Sequence, residues 1–114
     1  MPGGMPGTLN LEKSEKVNEF IDRASSDGKL ICAICAAPSV LGHKNLLRGK
    51  TATCFPGFEK DLYGAVATGA LVERDGNIIT ARGMGVALEF GLKTVEALCG
   101  SEVAESIKTS VQSE

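Results

Sequence analysis

Four cysteines and one histidine carry most of the reactive chemistry this sequence offers. Cys32 and Cys35 are spaced C-x-x-C inside "KLICAICAAPSVLG", Lys29 to Gly42. That spacing raises four readings: a redox pair, half a metal site, a catalytic nucleophile, or sulfur packed in a core. A redox pair of the usual kind puts both cysteines at a helix start, whereas Cys32 falls within an apolar run, Leu30 to Ile34. On a strand, side chains three residues apart point to opposite faces, so Cys32 is read as core packing and Cys35 as separate from it. A zinc site needs four converging ligands, commonly two close pairs. Cys54 and Cys99 form no second pair and His43 is the only histidine, so no metal or other cofactor is expected.

Cys35 sits where the apolar run ends and a helix is expected to begin. A sharp strand-to-helix turn there would expose its side chain at the carboxyl end of a sheet. Free N–H groups and partial positive charge at a helix start favour a thiolate, and the same N–H groups can hold an oxyanion. Small residues at Ala36 and Ala37 allow close backbone packing, as in a nucleophile elbow. The competing reading is a cysteine acting as a small hydrophobe, and position alone does not separate the two. Cys54 closes the next strand, so it could approach Cys35 as a pocket wall or as a resolving thiol. Cys99, at a helix end, is read as packing. His43 lies eight residues past Cys35, roughly 10 Å along a helix at about 1.5 Å per residue. That is too far for a general base on Cys35, and the ring is expected to cap the last carbonyls of its helix. Gly3 and Gly4 in "PGG" could lend a backbone amide to an anion. Gly83 and Gly85 in "RGMG" lack the remaining spacing of a dinucleotide fingerprint.

The elements that must position these groups follow from periodicity. "MPGGMPGT" reads as a Gly/Pro loop. Val17, Phe20, Ile21 and Ala24 form a helical stripe, with Ser14 as N-cap and Gly28 past the end, giving a helix over Ser14–Ser26. Leu30–Ile34 is a continuous apolar strand of the kind found in parallel sheets covered on both faces. A helix follows from Ala36 to about Leu41, with Pro38 in its tolerated first turn. Lys50–Cys54 is a second short strand, and "FPGFEKDLYGA" a loop with room for one helical turn. Asp75-Gly76 makes a tight hairpin between Leu71–Arg74 and Asn77–Ala81. Ala87, Phe90, Gly91, Thr94, Val95 and Leu98 share one face of a helix that Gly100 stops. Ser101 can cap a final helix over 102–108, and "TSVQSE" reads as a frayed tail.

This order predicts one α/β domain over residues 1–114: an open, flavodoxin-like three-layer sandwich with a parallel sheet and an edge hairpin. Only two strands read as parallel and buried, so half a sheet is missing from the pattern. The chain of 114 residues is 43% hydrophobic with net charge −2 and no Trp. That balance gives no electrostatic footprint for nucleic acid, and no apolar run nears the ~20 residues of a membrane-spanning helix. The N-terminus lacks the basic and apolar regions of a signal peptide, and unpaired cysteines fit a reducing, cytoplasmic setting.

Taken together, "PGG" at Pro2–Gly4, "AICAAPSVLG" at Ala33–Gly42, "TCFPGFE" at Thr53–Glu59 and "DGNIITARGMGVALEFGLKTVEALCG" at Asp75–Gly100 resemble the ThiJ/PfpI superfamily, in its parkinsonism-associated-deglycase-like branch. The resemblance implies Cys35 as nucleophile, the Gly4 and Ala36 amides beside it, and a pocket lined by Gly3, Ala37, Cys54, Phe55 and Gly83. It implies cysteine-dependent deglycation, or glyoxalase III-type conversion of methylglyoxal to lactate, on a small reactive carbonyl substrate. A redox-linked chaperone role and amidase or peptidase chemistry are the alternatives, and a homodimer or higher oligomer is the expected assembly. Two positions depart from the family pattern: Phe55 stands where many relatives have a histidine, and Met84 where "R-G-P-G" has proline. The family also carries strands and a glutamate ahead of "PGG", so the sequence reads as an N-terminally truncated member. A sheet lacking those strands would expose an edge. The isolated 114-residue chain is therefore expected to be marginal, oligomeric or completed by another chain, and a cooperatively melting monomer in light scattering would contradict this.

Overall fold

The computed structural model describes residues 1–113. It contains five helices: α1 (Gly7–Lys13), α2 (Glu15–Ser26), α3 (Pro38–His43), α4 (Ala87–Cys99) and α5 (Ser101–Ser110). Its strands are β1 (Ile31–Ile34), β2 (Thr51–Ala52), β3 (Val66–Ala67), β4 (Val72–Asp75) and β5 (Ile78–Ala81).

The main sheet has the order β1-β5-β4, with β1 and β5 parallel and β4 and β5 antiparallel. Ile31 stands opposite Ile78, and Ile34 opposite Ala81. The expected hairpin is present with its turn at Gly76-Asn77, one residue later than the Asp75-Gly76 expected, and β4 is its edge strand. Its inner strand, however, is the centre of the sheet. All four residues of β5 are buried, consistent with the absence of polar alternation in "IITA". Thr80 is tolerated in that interior because its Oγ1 accepts from the Thr53 N–H at 3.0 Å.

The expected second strand over Lys50–Cys54 is shortened to Thr51–Ala52 and joins a separate pair with β3. It docks on the hairpin through side chains: the Thr51 N–H donates to Asp75 Oδ2 at 2.9 Å, and Thr53 Oγ1 donates to the Ala70 carbonyl at 2.7 Å. On the opposite edge of β1, Met1 pairs with the strand. Its carbonyl accepts from the Ile34 N–H, and its own nitrogen donates to the Cys32 carbonyl.

Helices cover both faces. Ile21 of α2 and Val40 and Leu41 of α3 join Ile31, Ala33 and Ile78 in one core, with Ala37, Leu47, Ala52, Cys54 and Leu62. The other face carries α4, whose Thr94 hydroxyl reaches Cys32 Sγ at 3.7 Å. Cys32 is thus half-buried beneath α4, on the opposite side of the strand from the Ala33 core. Cys99 is exposed rather than packed, and Leu98, assigned to the inner face of α4, is 68% exposed.

Three local readings are corrected. The "MPGGMPGT" loop turns into α1 at Gly7, because buried Thr8 bonds the Gly4 carbonyl twice, through its N–H at 2.9 Å and its hydroxyl at 2.8 Å. Ala36 and Ala37 form a turn, and α3 starts at Pro38. Ser101 lies inside α5, with Gly100 as its cap. Ser14 caps α2 as expected, its Oγ accepting from the Val17 N–H at 3.2 Å. The turn expected in "FPGFEKDLYGA" is a 3₁₀ turn, Glu59–Asp61.

Gly42 sets how closely that turn packs on α3. A Cβ at Gly42 would stand 2.1 Å from the Asp61 carbonyl oxygen and 2.8 Å from Leu62 Cα. Both are backbone, so neither can swing aside. Gly42→Ala is expected to lower unfolding free energy by about 1–3 kcal/mol, and denaturant titration against the parent chain measures it.

Candidate active site

Cys35 is the first residue after β1, and its φ is +67°. A non-glycine residue in the left-handed region is strained by about 1–3 kcal/mol and persists only where its surroundings impose it. Two long-range bonds impose it here. The Cys35 N–H donates to the Ala81 carbonyl at 2.8 Å, extending the β1–β5 ladder by one residue. Its carbonyl accepts from the Phe55 N–H at 2.8 Å. The Ala37 N–H then closes the turn onto the Ile34 carbonyl at 3.1 Å, and Ser39 Oγ donates to the Ala36 carbonyl at 2.7 Å. The geometry expected of an elbow is present, with the thiol half-exposed.

The glycine loop passes directly over this turn. A Cβ at Gly3 would meet Cys35 Cβ at 2.7 Å, the Ile34 carbonyl oxygen at 2.7 Å and the Ala36 nitrogen at 2.9 Å. Only glycine permits that approach. Gly4 follows at φ +87°, and its carbonyl is occupied by Thr8. Among the described residues, the Gly4 and Ala36 N–H groups donate to no intramolecular acceptor.

A cavity of about 420 Å³ opens at Cys35, lined by Gly3, Gly4, Ile34, Cys35, Met84 and Ala87. Its walls are almost wholly apolar. Met84, which departs from the family's "R-G-P-G" pattern at a position expected to alter the pocket wall or dimer surface, lines the cavity from the 3₁₀ turn before α4. Ala87, the first residue of α4, is a lining residue that sequence reasoning did not assign. Of the expected lining residues, Gly3 is in place. Phe55 and Gly83 instead line an adjoining groove of about 340 Å³ with Leu71, Arg82 and Met84. Ala37 is fully buried in the core.

Cys54 is also inside, only 3% exposed. It stands next to Cys35 through the Phe55–Cys35 bond, not through strand pairing. Burial, with the charge of Glu59 adding to it, pushes the Cys54 thiol up to about 11. It is a protonated, inert thiol at neutral pH.

His43 does not cap its helix. Its Nδ1 bonds Glu12 Oε2 and its Nε2 bonds Asp61 Oδ1 at 3.0 Å, so the ring is engaged away from Cys35.

These features coincide with one family. The sequence matches the DJ-1/PfpI family over residues 1–97, and the chain belongs to that family. It is 40% identical over 109 residues to protein DJ-1 homolog B of Arabidopsis thaliana, covering 94% of this chain and 25% of the relative. It is 39% identical over 111 residues to the Parkinson disease protein 7 homolog of Danio rerio, covering 95% and 59%. The crystal structure of Drosophila melanogaster DJ-1beta superposes with a TM-score of 0.89 at 36% identity, over 98% of this chain and 61% of that one. Oxidized Toxoplasma gondii DJ-1 gives 0.92 at 33% identity, over 97% and 61%. The chain thus spans between a quarter and three-fifths of the length of these relatives. The fold is the flavodoxin-like α/β arrangement expected. Among the described residues no helix is long and apolar enough to cross a membrane.

The strain at Cys35 is directly measurable. Glycine relieves a left-handed φ that alanine does not, so Cys35→Gly should be more stable than Cys35→Ala by about 1 kcal/mol. Equal stabilities in paired denaturant melts would remove the strain from this turn.

Proposed function

We propose that the chain carries the nucleophilic half of a cysteine-dependent glyoxalase or deglycase acting on small reactive carbonyls such as methylglyoxal. The observation that carries this is the elbow: a half-exposed Cys35 held at φ +67° at the mouth of an apolar cavity that Gly3 and Gly4 also line. The apolar walls suit a short, uncharged aldehyde.

In this reading Cys35 thiolate attacks the aldehyde carbon of methylglyoxal, forming the C–S bond of a hemithioacetal. The Gly4 and Ala36 amides take the charge that develops on oxygen. A proton moves from the attacked carbon to its neighbour through an enediol, giving the thioester of lactate. Water hydrolyses that ester, releasing lactate and the free thiol. The reaction adds one water and needs no external oxidant. By family resemblance, the proton is handled by the glutamate that precedes "PGG" in relatives, so turnover belongs to a chain that includes it. The working protein is a homodimer or larger assembly in a reducing compartment.

A second reading treats Cys35 as a redox sensor. Two equivalents of peroxide would convert its thiolate to sulfinate, with the same amides holding the added oxygens. The oxidised state of the Toxoplasma relative favours keeping this reading.

In a chain that includes the glutamate preceding "PGG", lactate formation from methylglyoxal should be lost in Cys35→Ser by at least about a hundredfold, and persistence of turnover in that variant would reject the enzyme. Under mild peroxide, peptide mass spectrometry should find two added oxygens on Cys35, and their absence there would reject the sensor.

A further inference from the structure

We propose that His43 is a positioning residue for Cys35: its imidazole, bridging Glu12 and Asp61, fastens the far ends of three segments that meet at the Cys35 backbone. The inference rests on Cys35 being the reactive group.

Each segment has two anchors. The Gly3–Gly4 loop lies on the elbow and runs into α1, whose last turn carries Glu12. Cys35 itself leads through the turn into α3, which ends at His43. The Cys54–Phe55 segment is bonded to the Cys35 carbonyl and runs into the 3₁₀ turn that ends at Asp61. Near the thiol, the three are joined by backbone contacts. At the other end they are joined through one ring, Nδ1 to Glu12 and Nε2 to Asp61. Gly42 keeps the Asp61 backbone within reach of α3, as its tight packing requires.

An imidazole bonded to a carboxylate at each nitrogen can donate to both only when doubly protonated. The Asp61 bond, then the Glu12 bond and both charges, raise the His43 pKa against a partial burial that lowers it. The Tyr63 ring lies against the imidazole, centroids 5.1 Å apart. Lys44, next along α3, is turned to Asp22 of α2 at 2.9 Å and to Asn18 at 3.0 Å. Lys13 and Lys60 are exposed, and Glu59 accepts from the Gly57 N–H. The ring's ionic partners are therefore Glu12 and Asp61. A folded pKa above the unfolded one means the clamp is complete below about 6.5. It is lost as pH rises through the folded value. The neutral ring then keeps one donor and turns a lone pair to the other carboxylate.

His43 is the only histidine, so a single imidazole resonance follows its titration by NMR. That midpoint should lie above about 6.5, and fall in Glu12→Gln. The alkylation rate of Cys35 by iodoacetamide, measured by peptide mass spectrometry and scaled per thiolate, should rise about two- to threefold through the same midpoint as the segments loosen. That step should shift downward in Glu12→Gln and vanish in His43→Gln. A midpoint at or below the ordinary value overturns the proposal, as does an alkylation profile that Glu12→Gln leaves in place. Loss of methylglyoxal turnover with the alkylation step intact would sink only the enzyme reading.

Discussion

Two peptide hydrogen bonds at one residue hold this structure's chemistry in place. Cys35 gives its N–H to Ala81 and its carbonyl to Phe55, and between them the chain is forced through a left-handed turn. Without the first, β1 would end at Ile34 with no reason to reverse. Without the second, the segment carrying Cys54 and Phe55 would have no fixed place beside the thiol. The cavity, the glycine contact and the burial of Cys54 follow from that pair of bonds. The main sheet can be regarded as the support for one of them and the β2 docking contacts as the support for the other.

The second helix was legible because its pattern is local. Ser14 and the stripe from Val17 to Ala24 mark α2 to within one residue. The Asp75-Gly76 signal finds the hairpin to within one residue, the turn itself being Gly76-Asn77. What the pattern could not give is which strand lies beside which. A short apolar run such as Ile31–Ile34 is compatible with any neighbour, and the parallel partner proved to be the inner hairpin strand rather than the next strand in sequence. Thr80 and Thr53 obscured that centre. A threonine in a strand reads as surface until its partner is known, and here the two meet each other through backbone and hydroxyl.

The same limit governs the site. Cys35 was readable because strand, cysteine, small residues and proline form one contiguous motif. Ala87 was not, since it reaches the cavity from a helix start far along the chain, whereas Met84 stood out only as a departure from the family pattern. His43 was misread because a lone histidine at a short helix end has an ordinary local role, and its two carboxylates come from positions 31 residues before and 18 after it. Gly3 and Gly42 are a different case. Each was visible as a glycine, but the need for it is a distance between backbones, which only coordinates state.

The anchors of the elbow also have an order in time. Cys35 depends on residues 55 and 81, so neither bond can form until long loops have closed. The β4–β5 hairpin is local and can assemble early, while the β1–β5 pairing must join Ile31 to Ile78 across a long stretch of chain and comes later in such a sequence. A nascent or locally opened chain therefore holds Cys35 in a relaxed extended backbone, with no cavity beside it and no amides gathered around it. The thiol acquires its setting in the last steps of folding, which makes the chemistry of this one sulfur a report on whether the whole sheet is closed.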